Sequence, residues 1–383
     1  MDGPFVYLDN AATTWPKPES VYKAVDETLR KFGANPGRSS HHMSQQAERI
    51  IADARHAVAR FFNAPSPEHV VFTLNCTDSL NIALKGLIKP GDRVVTGPYE
   101  HNSVMRPLRT LQRSGVSVAV ARGTADFQID LDHFRELCQG GIDFAVISHA
   151  SNVTGCLSPV REIARIVHER GGILILDAAQ SAGVVEVDME RLGIDILAAP
   201  GHKGLLGPMG VGILILGRDI PVDPFREGGT GIKSEGDYQP EELPWRLEGG
   251  TANLPGIAGL LAGIRFIESV GIDSIASHEA ELARQLVEGL KGVDGVRLFC
   301  DPFGPKTGVV SFTLDAMDVA LAGTILDQAF KIGVRTGLHC APAAHKTLGT
   351  FPAGTLRASF GYFNDESHVE RLVTAVRQLS KTG

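Results

Sequence analysis

The 383-residue sequence predicts an α/β fold with a mainly parallel, doubly wound sheet, followed by a smaller α+β C-terminal domain. Two observations predict this class. Short runs rich in β-branched residues and leucine alternate with longer amphipathic runs, which is typical of strands joined by crossover helices. Several apolar runs are also followed at once by polar turns, and in such sheets ligands collect at the carboxyl ends of the strands.

Seven apolar runs predict the strands of the large sheet. They are residues 70–73, 93–96, 116–121, 144–148, 172–176, 196–199 and 210–216. The amphipathic segments between them predict helices at residues 78–87, 103–114, 131–138 and 159–170. Pro159 suits the first turn of the last helix, and Gly171-Gly172 suits its end.

The second half of the chain has a different composition and pattern of predicted elements. Residues 221–256 are rich in Gly, Pro and Glu and predict an irregular excursion. The elements predicted beyond it are helices at 257–270 and 279–291, strands at 296–299 and 309–314, and a final helix from Ser367. We therefore expect an N-terminal segment (1–20) packed near the active site, a large domain (21–256), and a small domain (257–383) that carries a cysteine loop.

Composition and charge restrict the function classes. The formal net charge is −7 and no basic tract is present, so nucleic acid and anionic membranes are not expected as partners. Neither a signal peptide nor a membrane-spanning run is recognisable, which predicts a cytoplasmic protein. The five cysteines are widely spaced without a CxxC pair, so neither a disulfide framework nor a metal site is expected.

The strongest local signal is a lysine in a glycine-flanked turn after an apolar strand, Ala199-Pro200-Gly201-His202-Lys203-Gly204. The preceding strand ends in Asp177, and Gln180 follows one turn later. A lysine amine can form a Schiff base with the aldehyde of pyridoxal 5′-phosphate, and an aspartate can keep the pyridine nitrogen protonated. The pair therefore indicates pyridoxal phosphate as a cofactor.

Other strand ends offer groups suited to the same cofactor. Cys76 and Thr77 open a helix, where N–H groups and a hydroxyl can bind phosphate. His101 can stack on a flat ring or relay protons, and Asn152 lies in a polar turn. Each of these residues also has an ordinary structural explanation, as a helix cap, a solvated histidine or a turn residue. Five successive strand ends with polar groups favour one common site.

Eight motifs, in order from residue 7 to residue 359, have the form found in one family. They are Tyr7-Leu8-Asp9-Asn10-Ala11-Ala12-Thr13-Thr14, Glu100-His101-Asn102, Ser151-Asn152-Val153-Thr154-Gly155, Asp177-Ala178-Ala179-Gln180-Ser181, Gly201-His202-Lys203, Glu248-Gly249-Gly250-Thr251, Arg335-Thr336-Gly337-Leu338-His339-Cys340-Ala341 and Leu356-Arg357-Ala358-Ser359. The chain thus resembles the class V aminotransferase superfamily of fold type I pyridoxal-phosphate enzymes. Within it, the chain is most similar to the short-loop group of the cysteine desulfurase and selenocysteine lyase family.

The resemblance implies a role for each matching residue. Lys203 would bind the cofactor and move the substrate Cα proton, and Arg357 would hold the substrate carboxylate. The further cofactor contacts implied are Asp177 at the pyridine nitrogen, Gln180 and Asn152 near the ring hydroxyl, His101 on the ring face, and Cys76, Thr77 and His202 at the phosphate. Asn10 and Ala11 are expected near the substrate. In a homodimer, Gly250 and Thr251 would reach the partner's phosphate.

Cys340 is the residue that would distinguish a desulfurase from an aminotransferase. It follows His339 on a loop framed by Gly337 and Pro342, a setting that suits a mobile nucleophile. The resemblance implies that Cys340 takes sulfur from L-cysteine, leaving L-alanine and an enzyme persulfide that serves a sulfur acceptor, which can be a protein. L-Selenocysteine is an alternative substrate. The residues are also compatible with an aminotransferase or epimerase in which Cys340 is incidental, and with a non-catalytic sulfur carrier or scaffold protein.

Three positions depart from the family pattern. Pro200 replaces a serine that often helps to bind phosphate, and proline has neither a hydroxyl nor an N–H to donate. Leu338 replaces a second histidine near Cys340, and Cys76 replaces a frequent threonine. The glycine-rich segment Glu227-Gly228-Gly229-Thr230-Gly231 is also distinctive and is a candidate for contact with substrate or partner.

Overall fold

The computed structural model describes residues 4–36, 41–301 and 304–381. Its helices are α1 (Glu19–Lys31), α2 (His42–Phe61), α3 (Cys76–Leu87), α4 (Asn102–Arg113), α5 (Leu131–Cys138), α6 (Val160–His168), α7 (Met189–Leu192), α8 (Leu254–Val270), α9 (Ile272–Leu290), α10 (Val319–Phe330), α11 (Pro342–Leu348) and α12 (Glu366–Leu379). Its strands are β1 (Val6–Tyr7), β2 (Val70–Thr73), β3 (Arg93–Thr96), β4 (Ser117–Val120), β5 (Phe144–Ser148), β6 (Ile173–Asp177), β7 (Ile196–Pro200), β8 (Gly212–Leu216), β9 (Val296–Leu298), β10 (Val309–Leu314), β11 (Ile332–Gly333), β12 (Arg335–Gly337) and β13 (Thr355–Ser359).

A seven-stranded sheet in the order β2-β8-β7-β6-β5-β3-β4 forms the centre of the molecule. The five strands from β7 to β4 are parallel to one another, whereas β8 runs antiparallel to both β7 and β2. Helices cover both faces, so β5, β7 and β8 are buried at every position, which explains their continuous apolar sequences. The predicted α/β class with a mainly parallel sheet is confirmed.

All seven predicted strands are present, and the differences lie mainly at helix starts. Helix α3 begins at Cys76, two residues before the predicted start, because the Asn75 side chain caps it by accepting from the Asp78 N–H at 3.0 Å. His101 caps α4 in the same way through the Ser103 N–H. Helices α1 and α2 are not predicted by the sequence patterns, and α9 begins at Ile272 rather than at residue 279.

Helix α8 packs on the large sheet. Its buried residues Ile257, Leu260, Ile264 and Ile267 belong to the same apolar core as β6 and β7. This packing favours a domain boundary after α8, and the division into residues 21–256 and 257–383 stays a prediction. Within the described residues no single helix is both long and apolar enough to cross a bilayer. Only α8 and α9 together pass that test, and a bend of 84° separates them.

The small domain is built on an antiparallel sheet in the order β12-β13-β10-β9. A second apolar core lies between this sheet and helices α9, α10 and α12. The N-terminal segment connects the two domains: β1 pairs with β11, and the hydroxyls of Thr13 and Thr14 donate to the carbonyl of His202. The segment therefore fixes the small domain next to the turn that contains Lys203.

Candidate active site

The main cavity, of about 560 Å³, lies at the carboxyl ends of the parallel strands. Most of the residues predicted to bind a cofactor line it. They are Cys76, Thr77, His101, Asn152, Asp177, Gln180, His202 and Lys203. These residues come from five separate strand-to-helix or strand-to-turn junctions, which converge because parallel strands end at one edge of the sheet.

Asp177 is the last residue of β6, and Lys203 follows the end of the neighbouring strand β7. Burial lowers the pKa of Lys203, and the carboxylate of Asp177 opposes that shift. Burial raises the pKa of Asp177, while the Ala179 N–H, which donates to Oδ1 at 2.9 Å, and the charge of Lys203 lower it. The Cys76 thiol donates to the same carboxylate oxygen at 3.5 Å. Burial therefore shifts both groups toward their uncharged forms, and the attraction between their opposite charges opposes that shift.

His101 is held as a neutral imidazole. Its Nδ1 accepts from the Ser103 N–H at 3.1 Å, which leaves the proton on Nε2. Burial, with the positive charges of Lys203 and Arg357, lowers the pKa of His101 to about 4. The Ser103 hydroxyl bridges His101 Nδ1, at 2.8 Å, to the Thr77 hydroxyl, at 2.7 Å. Ser103 thus orients two predicted site residues, and its place in the cap after His101 is the signal that could have identified it.

The N-terminus of α3 forms one wall of the cavity. Cys76 and Thr77 are its first two residues, and the first N–H groups of a 12-residue helix favour an anion through their partial positive charge. His202 lies in the same lining with a buried Nδ1 that has no partner among the described residues. Burial lowers the pKa of His202 to about 4, so this nitrogen interacts as part of a neutral ring.

The donor set fits pyridoxal phosphate. Besides His202 Nδ1, the buried Oδ1 of Asn152 lacks a partner within the described chain and can accept from a ring hydroxyl. Lys203 offers an amine to an aldehyde, Asp177 a carboxylate to a pyridinium, and the start of α3 a phosphate site. The cavity volume is within the range of small-molecule sites.

Arg357 lies outside the lining of the cavity, although it touches a residue that lines it. Its side chain is 2% exposed; Nη2 donates to Asp9 Oδ1 at 2.8 Å and Nη1 donates to the Asn152 carbonyl at 3.0 Å. Its Nε is buried without a partner among the described residues. Arg335, on the neighbouring strand, lies 3.7 Å from the second carboxylate oxygen of Asp9. Asp9, in the first of the eight motifs, has no role that the sequence alone assigns.

Asn10 and Ala11 line a smaller cavity next to Lys203 and Gln180. The side-chain amide of Asn10 is used within the fold, because it donates to the Ser359 carbonyl at 2.9 Å and accepts from the Trp15 N–H at 3.2 Å. The Ala11 carbonyl accepts from Gln180 Nε2 at 3.0 Å. In this structure both residues position the N-terminal segment against the site.

Cys340 is exposed, whereas the remaining four cysteines are buried, and all five are free thiols. Both Cys340 and His339 have left-handed backbone conformations, with φ of 57° and 47°. The Cys340 carbonyl accepts from the Asn102 N–H at 2.8 Å, which ties the loop to the start of α4. Cys340 lines a second cavity, of about 410 Å³, and His101 lines both cavities.

Gly250 and Thr251 are exposed and do not line the main cavity. Gly250 has φ of 89°, and its N–H donates to the Gly229 carbonyl at 2.9 Å, so two glycine-rich segments lie side by side. Glu100 belongs to one of the eight motifs, but the sequence assigns it no role. Its carboxylate accepts from the Ser148 hydroxyl at 2.6 Å behind the cavity, and burial raises its pKa to about 7.

Comparisons with known proteins agree on one family. The sequence profile described as Aminotransferase class-V matches residues 6–372. A probable cysteine desulfurase of Methanothermobacter thermautotrophicus is 36% identical, over 99% of this chain and 95% of the relative. The cysteine desulfurase of Haloferax volcanii is 34% identical, over 97% and 89%.

Solved structures give the same result. The apo structure of a cysteine desulfurase from Thermococcus onnurineus NA1 matches with a TM-score of 0.91 and 36% identity, over 98% of this chain and 95% of that one. The Escherichia coli cysteine desulfurase CsdA, as its S-sulfonic acid, matches with a TM-score of 0.88 and 30% identity, again over 98% and 95%.

Proposed function

This chain belongs to the class-V aminotransferase family, and from that membership we propose that it is a cysteine desulfurase that binds pyridoxal phosphate at Lys203. The enzyme removes sulfur from L-cysteine, producing L-alanine and a persulfide on Cys340. One observation supports this assignment most strongly. His101 lines the cavity that contains Lys203 and Asp177 and also the adjoining cavity that contains Cys340, so a neutral imidazole adjoins both parts of the reaction.

The cofactor, when bound, supplies an acceptor for the electrons of the substrate Cα–H bond. Asp177 is proposed to pair with its pyridine nitrogen, and Asn152 Oδ1 and Gln180 to lie near its hydroxyl. Cys76, Thr77 and His202 are proposed to hold its phosphate. The buried Asn152 Oδ1 and His202 Nδ1, which have no partner within the described residues, support these two assignments.

The proton and sulfur transfers are made by the side chains of the protein. Lys203, whose pKa burial lowers, takes the Cα proton as an uncharged amine. Arg357 is proposed to bind the substrate carboxylate through its free Nε. The sulfur of Cys340 attacks the substrate sulfur, so an S–S bond forms as the substrate C–S bond breaks. Cβ gains a proton to give alanine, and the thiol of Cys340 becomes the persulfide.

We further propose a cytoplasmic homodimer in which Gly250 and Thr251 contribute to the partner's phosphate site. Exposed apolar side chains at the main cavity support an interface there, because Leu74 is 55% exposed and Met209 is 66% exposed. The exposed, glycine-rich backbone at Gly250 allows close approach of a second chain. L-Selenocysteine would use the same residues and is an alternative substrate.

The experiment compares wild type, Cys340→Ser and Cys300→Ser, each loaded with pyridoxal phosphate and supplied with L-cysteine. Alanine, sulfide and keto acid are measured in the presence of a reducing thiol. Wild type and Cys300→Ser are expected to release equal amounts of alanine and sulfide, and Cys340→Ser to be slower by at least about 100-fold. Cys300 is the matched control because it is buried away from both cavities. Keto acid from all three proteins would instead indicate transamination.

A further inference from the structure

The cavity next to Cys340 adjoins the one assigned to the cofactor, and Thr77, His101 and Ser103 line both. Its volume is about 410 Å³, and its walls are the facing residues of α3 and α4 together with Cys340 and His101. A concave space of this size suits a small molecule, since ligand sites usually measure about 300–1,000 Å³. A molecule bound there would lie against the one exposed cysteine of the chain.

Two cations give this cavity a positive charge. Lys85 of α3 and Arg106 of α4 line it, and no acidic residue does so in the described part of the chain. The guanidinium of Arg106 makes no hydrogen bond or ion pair with any described residue. The ammonium of Lys85 contacts the ring of Phe225 at 5.1 Å and makes no ion pair within the same ranges. The positive charge of Arg106 also contributes to the lowered pKa of His101, so its field reaches the cavity.

The remaining walls contain polar side chains beside Pro107. Asn81 and Thr110 line the cavity one helical turn from Lys85 and Arg106, respectively. The amide of Asn81 donates one N–H to the Thr77 carbonyl at 2.8 Å, which leaves its second N–H available to donate to an anion. An anion with hydrogen-bonding oxygens matches this combination of unpaired cations and amide groups.

We propose that this cavity binds a small thiol that carries carboxylate groups, and that this thiol accepts sulfur from Cys340. The proposal rests on the proposed function, which supplies the persulfide. The thiolate of the acceptor attacks the outer sulfur of the Cys340 persulfide, forming a new S–S bond. The bond between the two sulfurs on Cys340 breaks, and Cys340 leaves as a thiolate. The acceptor departs as a persulfide, so no external oxidant or reductant is needed.

The test separates sulfur loading from sulfur release. In the first stage the holoenzyme receives one equivalent of L-cysteine, and mass spectrometry measures persulfide on Cys340. In the second stage the loaded enzyme meets 2-mercaptoethanol, which is neutral, or mercaptosuccinate, which has two carboxylates. The rate of persulfide loss is measured for wild type, Arg106→Gln, Lys85→Gln, the double variant, and Arg109→Gln. Arg109 is the matched control, an exposed arginine of α4 that does not line the cavity and bonds to Gln112.

With mercaptosuccinate, each single variant is expected to lose sulfur about two- to fivefold more slowly than wild type, and the double variant about tenfold more slowly. With 2-mercaptoethanol, all variants are expected to match wild type, as Arg109→Gln does with both thiols. The rate of each variant is compared with the wild-type rate for the same thiol, so the difference in intrinsic reactivity between the two thiols cancels. Added salt is expected to slow persulfide loss with mercaptosuccinate and to leave the rate with 2-mercaptoethanol unchanged.

The first stage must show normal loading of Cys340. The proposed cavity function would then be overturned if the variants slowed persulfide loss equally with both thiols, or with neither. Loading of Cys340 in that case leaves the desulfurase assignment intact. Absence of persulfide on Cys340 in the wild-type first stage would overturn the proposed function and, with it, the acceptor site.

Discussion

The side-chain amide of Asn152 donates a hydrogen bond to the backbone carbonyl of His339 at 2.7 Å, one residue before Cys340. The backbone carbonyl of Asn152 accepts from Arg357 at 3.0 Å. Asn152 also lines the main cavity, where its buried Oδ1 has no partner among the described residues. One asparagine therefore contacts the loop of the proposed nucleophile, the proposed carboxylate-binding arginine and the proposed cofactor site.

Removal of the Asn152 donor is expected to loosen the Cys340 loop. In apo-protein, hydrogen exchange of residues 337–341 should become about two- to tenfold faster in Asn152→Ala, because a net hydrogen bond of about 1 kcal/mol is lost. Asn152→Asp keeps an acceptor for the cofactor but cannot donate to His339, so it should show the same effect. The control is Gln139→Ala, because Gln139 is exposed and its side chain makes no hydrogen bond with any described residue. Unchanged exchange in both Asn152 variants would show that the bond does not hold the loop.

The ion pair between Arg357 and Asp9 is expected to stabilise the fold. Asp9→Asn leaves the guanidinium of Arg357, 2% exposed, without its charged partner and should lower the free energy of unfolding by about 3 kcal/mol. Arg335→Gln removes the longer, more exposed contact to Asp9 and should cost under about 1 kcal/mol. Urea unfolding of the apo-proteins measures both. Equal losses would mean that burial does not distinguish the two contacts.

Cys340 should be the cysteine that reacts with iodoacetamide in the native protein. Burial raises the pKa of Cys138 and of Cys300 to about 11 and raises those of Cys76 and Cys156. The thiolate is the reactive form, so these four should be protected at pH 8. Peptide mass spectrometry gives the sites, and protein unfolded in urea provides the control in which all five react. Labelling of Cys76 as fast as Cys340 would contradict the buried contact with Asp177.

Glu279 should make stability fall as the pH rises. It is buried in α9 with no hydrogen-bond partner in the described part of the chain, and burial raises its pKa from 4.5 to about 8. Between these values the folded state binds more protons than the unfolded state, so the free energy of unfolding decreases with pH, by at most about 1.4 kcal/mol per unit.

Glu279→Gln should flatten that slope relative to wild type between pH 5 and 8, whereas exposed Glu268→Gln should not. Urea unfolding at several pH values measures the slopes. Identical slopes in wild type and Glu279→Gln would mean that the buried carboxyl does not retain its proton.

The large sheet is predictable from sequence because buried parallel strands have continuous apolar runs with polar ends. This is why eight of the residues that line the main cavity, including Lys203 and Asp177, can be selected from the sequence. Helices α1 and α2 escape prediction because they precede the first strand of the large sheet, where no strand alternation indicates crossover helices. Helix α8 is largely buried and apolar on most sides, so its sequence does not show which domain it packs against.

Contacts between distant segments are less predictable. The bonds from Arg357 to Asp9 and from Asn152 to His339 join residues 348 and 187 positions apart, and local patterns contain no information about such pairs. The role of Ser103 also depends on tertiary contact, since its hydroxyl meets Thr77 from another helix. The sequence thus identifies the polar residues at strand ends, whereas their hydrogen-bond partners require the structure.

Mass spectrometry of Cys340 after a single turnover tests the central claim most directly. The holoenzyme is mixed with one equivalent of L-cysteine that is isotopically labelled at sulfur, quenched without reductant and digested. We expect the Cys340 peptide to gain one labelled sulfur atom, in an amount equal to the L-alanine formed. Alanine with an unmodified Cys340 peptide, or label on one of the four buried cysteines, would contradict the assignment of Cys340 as the sulfur-accepting nucleophile.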